Sequence, residues 1–245
     1  MFYAVTTENL TKRYGDRIVV DDLSLRIPEG CVYGFLGPNG AGKSTTMKML
    51  LSLIEPSDGE VQILGKSMTR ATRRSQLGRI GSLIEAPPGY AHLTGAENMR
   101  LIQRLLHLDD AQIEHAVQVV HLTEQMNKKV REYSLGMKQR LAIGLAILAK
   151  PDLLILDEPV NGLDPIGISD LRALLLRLNR ELGMTMIISS HILSELQQVA
   201  NRFGFIKDGR LIKEISKTEF DSLSEDYIVL KTHAVEAASR LLESH

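Results

Sequence analysis

The chain has 245 residues, 44% of them hydrophobic, which is enough for one large α/β domain with a buried core. Its 29 Lys and Arg residues nearly balance its 30 Asp and Glu residues, so nothing in the composition indicates a nucleic-acid-binding surface. The single cysteine, Cys31, excludes a disulfide within the chain and disfavours a zinc site. There is no apolar run of about 18 residues and no signal-peptide pattern at the start, so we predict a cytoplasmic protein without a membrane span.

The N-terminal part of the chain has strand character. Residues 3–10 and 17–27 alternate around a turn at Gly15-Asp16, which predicts antiparallel strands. Short apolar runs at 31–36 and 79–84 predict two further strands that are buried on both faces.

A glycine-rich segment follows the apolar run at 31–36 and precedes a helical pattern. It consists of Gly37, Pro38, Asn39, Gly40, Ala41, Gly42, Lys43 and Ser44. This spacing, G-x-x-x-x-G-K-[ST], is typical of a phosphate-binding loop, in which backbone N–H groups and a helix N-terminus face an anion. We predict that Lys43 contacts the β- and γ-phosphates of a nucleotide and that Ser44 contacts Mg²⁺. The alternative, a glycine-rich turn without a ligand, is disfavoured by the flanking strand and helix.

The middle of the chain changes character. Between 97 and 120 the apolar residues recur at helical spacing, including Leu101, Leu105 and Ile113. Helical spacing continues at 141–148. We therefore predict a mostly helical insertion over about 86–150, between two parts of a sheet.

The later part of the chain alternates strands with a helix. Apolar runs at 153–156 and 184–189 predict strands on either side of a helix at 167–182. This order predicts a parallel sheet with crossover helices, within a domain that ends near residue 216. The weaker pattern at 217–245 predicts a C-terminal extension with one strand and one helix.

Two carboxylates, Asp157 and Glu158, directly follow the apolar run at 153–156. Ligands bind at the C-terminal ends of parallel strands, so these acids are candidates for a functional site. We predict that Asp157 holds Mg²⁺, directly or through water, and that Glu158 orients and deprotonates the attacking water. An acidic pair after a strand is more often a helix cap or a turn, but the phosphate loop in the same chain favours the catalytic interpretation.

These two motifs and three others resemble, in order, the ATP-binding subunits of ABC transporters over about residues 3–215. Ser134-Leu135-Gly136-Met137, followed by Lys138-Gln139-Arg140, resembles the family's signature motif. Asn161-Gly162-Leu163-Asp164 resembles the loop that crosses the dimer interface, and Ser190-His191 resembles the switch histidine. The resemblance implies a P-loop NTPase core with a parallel sheet, an N-terminal antiparallel β-subdomain and an inserted α-helical subdomain.

The resemblance also implies a mechanism and partners. Two subunits would sandwich two ATP molecules, with Ser134 and Gly136 of one subunit at the γ-phosphate held by Lys43 of the other. His191 would link the γ-phosphate to Glu158. The protein would form an ATP-dependent homodimer bound to transmembrane permease subunits at the inner face of the cell membrane, with no nucleic-acid partner. The remaining nucleotide contacts implied are those of Tyr14, stacked on adenine, and of Thr45 and Asp164.

The sequence departs from the family pattern at two places. Glu85 stands where the family usually has a Gln that contacts Mg²⁺, so Glu85 is a candidate nucleotide and metal contact, although an ordinary loop acid remains the alternative. Leu135 and Met137 replace the usual Gly and Gln of the signature. Both departures, with the segment at 133–141, resemble exporters of lantibiotics and of peptide antibiotics such as bacitracin.

Two other functions remain open from the sequence. A regulatory nucleotide-binding module would cycle slowly if Glu85 perturbs the metal, and measured turnover would reveal it. A soluble ABC-type protein that acts on ribosomes or DNA usually has two nucleotide domains or a long coiled coil, and this sequence has one motif set and no heptad run.

Overall fold

The computed structural model describes residues 2–85 and 89–223. The strands in these ranges are β1 (Tyr3–Tyr14), β2 (Arg17–Leu23), β3 (Arg26–Pro28), β4 (Val32–Leu36), β5 (Asp58–Ile63), β6 (Lys66–Ser67), β7 (Ile80–Leu83), β8 (Leu153–Asp157), β9 (Thr185–Ser190), β10 (Arg202–Lys207) and β11 (Arg210–Ser216). The α-helices are α1 (Lys43–Leu50), α2 (Arg73–Leu77), α3 (Gly95–Leu106), α4 (Asp110–Val119), α5 (Leu135–Ile147), α6 (Pro165–Leu182), α7 (Leu193–Leu196) and α8 (Lys217–Leu223).

The strands form two sheets with different pairing. The N-terminal sheet is antiparallel, with the order β2-β1-β5-β6 and with β3 also paired to β1. The second sheet has the order β11-β10-β4-β9-β8-β7, and all of its pairs are parallel except β10 with β11. The predicted fold class is confirmed.

The core lies on both faces of the parallel sheet. Alternate residues of β8 point to opposite faces, as a strand requires, and all of them are buried. Leu153 and Ile155 belong to a cluster that includes Met47 of α1 and the N-terminal sheet. Leu154 and Leu156 belong to a second cluster, which includes the inserted helices and α6. Helix α1 is therefore fixed between the two sheets, with its N-terminus at the end of β4.

The helical insertion consists of α3, α4 and α5, with two short 3-10 turns between α4 and α5. Helix α3 ends at Leu106 and its C-cap, His107, adopts a left-handed conformation (φ 54°), so α3 and α4 are two helices and not one continuous helix. Thr94 caps α3 by accepting a hydrogen bond from the backbone N–H of Glu97. Leu105 is 72% exposed, so part of the apolar spacing that predicted a helix here faces away from the core.

Strands β10 and β11 form a hairpin that was not predicted from the sequence. Its turn at Asp208-Gly209 is a strong hairpin signal, and Gly209 has a positive φ of 80°. The N–H of Gly209 donates a hydrogen bond of 3.0 Å to the carbonyl of Ala41, so the missed hairpin supports the phosphate loop.

The C-terminal extension stays a prediction. Strand β11 ends at Ser216 and helix α8 follows it, as far as Leu223. The strand expected at 226–231 and the helix expected at 234–242 lie outside the described residues. Within 2–85 and 89–223, no helix has the length and apolar character needed to cross a membrane.

Candidate functional site

Strand order brings the sequence motifs to one edge of the parallel sheet. Leu36, at the end of β4, lies opposite Ser190 of β9, and Ser189 lies opposite Asp157 of β8. The C-terminal ends of three adjacent strands therefore carry the phosphate loop, the switch segment and the acidic pair. This is the edge at which open parallel sheets bind ligands.

The phosphate loop requires glycine for steric reasons at two positions. A Cβ on Gly37 would lie 2.3 Å from the carbonyl oxygen of Ile206 in β10, which is too close for any side chain. Gly42, at the N-cap of α1, has a φ of 106°, and a Cβ there would approach the carbonyl oxygen of Val19 to 2.8 Å. The loop is thus closely held by β10 and β2, and it leads into the N-terminus of α1, where an anion is stabilised.

Lys43 is buried within this loop, with 5% of its side chain exposed. Its Nζ donates hydrogen bonds to the carbonyls of Gly37 (2.7 Å) and Pro38 (3.2 Å). The same Nζ lies 3.2 Å from Oε1 of Glu158. The lysine ammonium therefore lies inside the loop, and the anion beside it in this structure is Glu158.

Glu158 is held on three sides. Its Oε2 lies 2.8 Å from Nδ1 of His191, and its backbone N–H donates to Oγ of Ser189 (2.9 Å). Glu158 has a φ of 49°, a left-handed conformation that non-glycine residues adopt at a cost of about 1–2 kcal/mol. Its Oε1 is buried and has no hydrogen-bond partner besides the ion-pair contact with Lys43. This oxygen would become available to accept a proton from water once Lys43 turns away from it.

Ser189 organises both acids and was not predicted from the sequence. It is fully buried, and its Oγ donates a hydrogen bond of 2.5 Å to Oδ1 of Asp157 while it accepts from the N–H of Glu158. Asp157 itself is 6% exposed. A serine at the end of an apolar strand gives little signal in sequence, because its role depends on which strand lies beside it.

The remaining predicted residues of this edge lie on two sides of it. Tyr14, at the end of β1, is 52% exposed, and Lys12 Nζ lies 5.1 Å from the centroid of its ring. Glu85 follows β7 with a φ of 66° and pairs with Lys48 of α1 at 2.5 Å. Ser44 and Thr45 lie in the first turn of α1, and both are partly buried.

The chemistry of these donors fits Mg²⁺. This cation prefers oxygen ligands and is usually held by one or two carboxylates together with phosphates and water. Asp157 offers a carboxylate and Ser44 a hydroxyl. In the part of the chain that the structure describes, no group of three or more His, Cys, Asp or Glu side chains is arranged to hold a metal alone. One carboxylate and one hydroxyl are too few ligands for Mg²⁺, so phosphate oxygens and water would have to complete its coordination.

Ser134, Gly136 and Asp164 lie on a different surface. They line a cavity of about 490 Å³, whose lining includes none of the residues 37–45. Ser134 Oγ accepts from the N–H of Met137 at 3.2 Å, and Asp164 Oδ1 accepts from the N–H of Gly167 at 2.9 Å, so both residues cap helices. The two helix N-termini, of α5 and α6, open on this cavity, which favours an anion there.

Leu135, one of the two apolar departures of the signature, lies beside the neighbouring loop at 161–164. A Cβ on Gly162 would lie 3.2 Å from Cδ2 of Leu135, and one on Gly136 would lie 3.9 Å from Cδ2 of Leu163. Leu135 nevertheless remains 42% exposed, and Ile166 nearby is 73% exposed. We call the surface around Ser134, Gly136 and Asp164 the signature surface. It carries exposed apolar groups around its cavity, and residues 37–45 of the same chain do not line that cavity.

The chain is similar to known ATP-binding proteins of transporters. The family model described as ABC transporter matches residues 20–161. The bacitracin transport ATP-binding protein BcrA of Enterococcus faecalis is 44% identical over 245 residues, which cover 100% of this chain and 79% of that protein. The lantibiotic transport ATP-binding protein SrtF of Streptococcus pyogenes is 42% identical over 218 residues, covering 89% of this chain and 93% of its own length.

The fold is also similar to that of a solved ABC transporter subunit. The structure of CbiO1 from Clostridium perfringens, part of the ABC transporter complex CbiONQ, has a TM-score of 0.83 at 26% identity and covers 91% of this chain and 92% of its own. The chain belongs to the ABC transporter family, as an ATP-binding subunit that hydrolyses ATP.

Proposed function

We propose that this chain powers the export of peptide antibiotics of the bacitracin or lantibiotic type. The observation that carries the proposal is the identity of 44% and 42% with proteins named for bacitracin and lantibiotic transport, over nearly the whole chain. The two departures from the usual family motifs, at Glu85 and in the signature, support the same subgroup.

The strand-end geometry supports the catalytic roles that we propose for this chain. Lys43 holds the β- and γ-phosphates, exchanging its present contact with Glu158 for phosphate oxygens. Asp157 and Ser44 hold Mg²⁺, which would neutralise charge on the phosphates when bound. Glu158 takes the proton of the attacking water, and His191, 2.8 Å away, keeps the carboxylate in position.

The dimeric arrangement that we propose makes use of the separate signature surface. Ser134, Gly136 and the α5 N-terminus of one subunit would approach the γ-phosphate on Lys43 of the second, with Asp164 at the interface. The two surfaces carry complementary features, a phosphate-binding loop on one side and two helix N-termini on the other. A solved neighbour, the ATP-binding cassette MJ0796 bound to ADP and Pi, is described as dimeric, with a TM-score of 0.78 at 25% identity and coverage of 87% of this chain and 98% of its own.

The proposed membrane partner would contact the helical insertion. Tyr90, Leu101, Leu105 and Leu106 are exposed by 42% or more, and all are in or just before α3. Large apolar side chains grouped on one helix commonly mark an interaction site. We therefore place the permease subunits at this face, with the protein at the inner side of the cell membrane.

The test uses the complete transporter in cells that lack other resistance. Expression of this chain with its transmembrane partner should raise the concentration of bacitracin or a lantibiotic that stops growth, and Lys43→Ala should abolish that gain. The exposed Lys66→Ala is a matched control that should keep it. Protection against a non-peptide drug, with none against either peptide, would contradict the proposed cargo while leaving the ATPase assignment in place.

A further inference from the structure

Three acids lie at or just after the ends of β7 and β8. Strand β7 pairs in parallel with β8 so that Leu83 lies opposite Leu156. Glu85 and Glu158 are each two residues beyond this matched pair along their own segments, and Asp157 directly follows Leu156. Two of these carboxylates would be enough for a Mg²⁺ site, so the third one, Glu85, needs either a role or a counter-ion.

Lys48 supplies the counter-ion. Its Nζ lies 2.5 Å from Oε1 of Glu85. The hydrogen bond to Glu85 is the main cause of a raised pKa of Lys48, to which the charges of Glu85, Asp157 and Tyr14 add, while partial burial opposes them. The ion pair with Glu85 therefore favours the charged form of Lys48.

The two lysines of α1 serve different strand ends. Lys43 and Lys48 are five residues apart, which turns them about 140° around the helix axis and separates them by about 7.5 Å along it. Lys43 reaches Glu158 after β8, and Lys48 reaches Glu85 after β7. One short helix between the two sheets thus holds both acids, and a neutral glutamine in place of Glu85 would leave Lys48 without an ionic partner.

We propose that Lys48 is a positioning residue that holds the Glu85 carboxylate on α1 and so limits how far this acid contributes to the cation site beside Asp157. The inference rests on the proposed role of this edge in binding Mg²⁺ with ATP. It assigns to Lys48 the control of a carboxylate that replaces the family's usual amide. Glu85 is 67% exposed, so it can leave Lys48 without disturbing the core.

The experiment measures cation binding directly, without turnover. The purified full chain is saturated with the β,γ-imido analogue of ATP, and Mn²⁺, as a paramagnetic substitute for Mg²⁺, is titrated with free Mn²⁺ followed by EPR. The variants are Lys48→Met, Lys48→Gln, Lys48→Arg, Glu85→Gln and the Lys48→Met/Glu85→Gln pair. Lys66→Met, an exposed lysine of the antiparallel sheet, is the control.

Lys48→Met and Lys48→Gln should each tighten Mn²⁺ binding about three- to fivefold, which is the size expected for a partly exposed ion pair. Lys48→Arg keeps the pair and should stay within about twofold of the unmodified chain. In the E85Q background, Lys48→Met should change the affinity less than about twofold, because an unpaired lysine extends into solvent and its charge is screened. Lys66→Met, the control, should have little effect.

Two results would overturn the inference. One is a Lys48→Met effect of equal size with and without Glu85, which would make Lys48 a plain background charge. The other is Mn²⁺ affinity that is unchanged or weaker in Lys48→Met. If the unmodified chain does not bind the ATP analogue, the proposed function itself fails. That outcome differs from one in which the analogue binds but the effects of the Lys48 and Glu85 substitutions on Mn²⁺ affinity simply add.

Discussion

Glu158 and Glu85 occupy equivalent places after neighbouring parallel strands, yet the chain holds them differently. Both have positive φ angles, and both pair with a lysine of α1. Glu158 is 19% exposed and also contacts His191 and Ser189. Glu85 is 67% exposed and has Lys48 as its ionic partner.

The difference indicates which position the fold fixes and which it leaves adjustable. Several partners hold Glu158 in one place, which suits the general base that we propose, because a misplacement of about 1 Å can cost 10²-fold in rate. An exposed ion pair contributes only about 0–1 kcal/mol, so Glu85 can change partners at little cost. We therefore expect substitutions near Glu158 to act on chemistry and those at Glu85 to act on regulation or coupling.

The largest effect is expected from Lys43→Ala. This change removes the cation aimed at the phosphates and also leaves Glu158 without its lysine partner. Both nucleotide binding and transition-state stabilisation are lost, so kcat/KM should fall by about 10⁴-fold or more. Calorimetry with ATP checks the binding part, with Lys66→Ala as the control. ATP affinity equal to that of the unmodified chain would show that the loop assignment is wrong.

Glu158→Gln should remove the base and leave nucleotide binding intact. Loss of a general base typically costs 10²- to 10⁴-fold, so kcat should fall by about 10³-fold. The bound ATP then persists, and size-exclusion chromatography with ATP should show a stable dimer. The exposed Glu55→Gln is the matched acid-to-amide control. A monomer that turns over ATP at a near-normal rate would contradict the role given to Glu158.

His191→Ala tests how far the hold on Glu158 matters. The variant keeps the carboxylate but removes the contact of 2.8 Å at its Oε2. We expect kcat to fall by about 10²-fold, less than for Glu158→Gln, with ATP binding retained. Steady-state ATP hydrolysis is measured for His191→Ala, for Glu158→Gln and for the variant that combines both substitutions. If the double variant is no slower than Glu158→Gln alone, the two residues act as one unit; independent, multiplying losses would mean that His191 acts elsewhere.

The sequence predicts the loop, the acidic pair and the switch histidine because each is a local pattern. It does not predict Ser189 as the bridge between Asp157 and Glu158, because this role exists only once β9 is placed beside β8. The pairing of Lys48 with Glu85 joins residues 37 positions apart and likewise depends on tertiary structure. The β10–β11 hairpin is a different case, since its Asp208-Gly209 turn was readable from the sequence.

In the helical insertion, the sequence predicts the helices but not which of their faces are buried. Helical spacing predicts helices at 97–120, but it cannot distinguish a face that packs on the core from one that awaits a partner. Met99 is fully buried, whereas Leu105 of the same helix is 72% exposed. The burial of each side depends on where α5 lies, and the exposed side becomes interpretable only beside the rest of the fold.

The smallest catalytic effect is expected from Glu85→Gln, which restores the usual residue of the family. Glu85 is exposed, and within the described residues its ionic partner is Lys48. ATP hydrolysis by the purified chain should therefore change by less than about tenfold, or roughly 1.4 kcal/mol of barrier. Protection of cells against a peptide antibiotic should change more, because Glu85 stands, in sequence, between β7 and the helical insertion. The measurement is paired: steady-state hydrolysis, and growth of cells carrying the whole transporter. A collapse of hydrolysis with unchanged protection per ATP consumed would make Glu85 a catalytic residue like Glu158, and the contrast between the two strand ends would disappear.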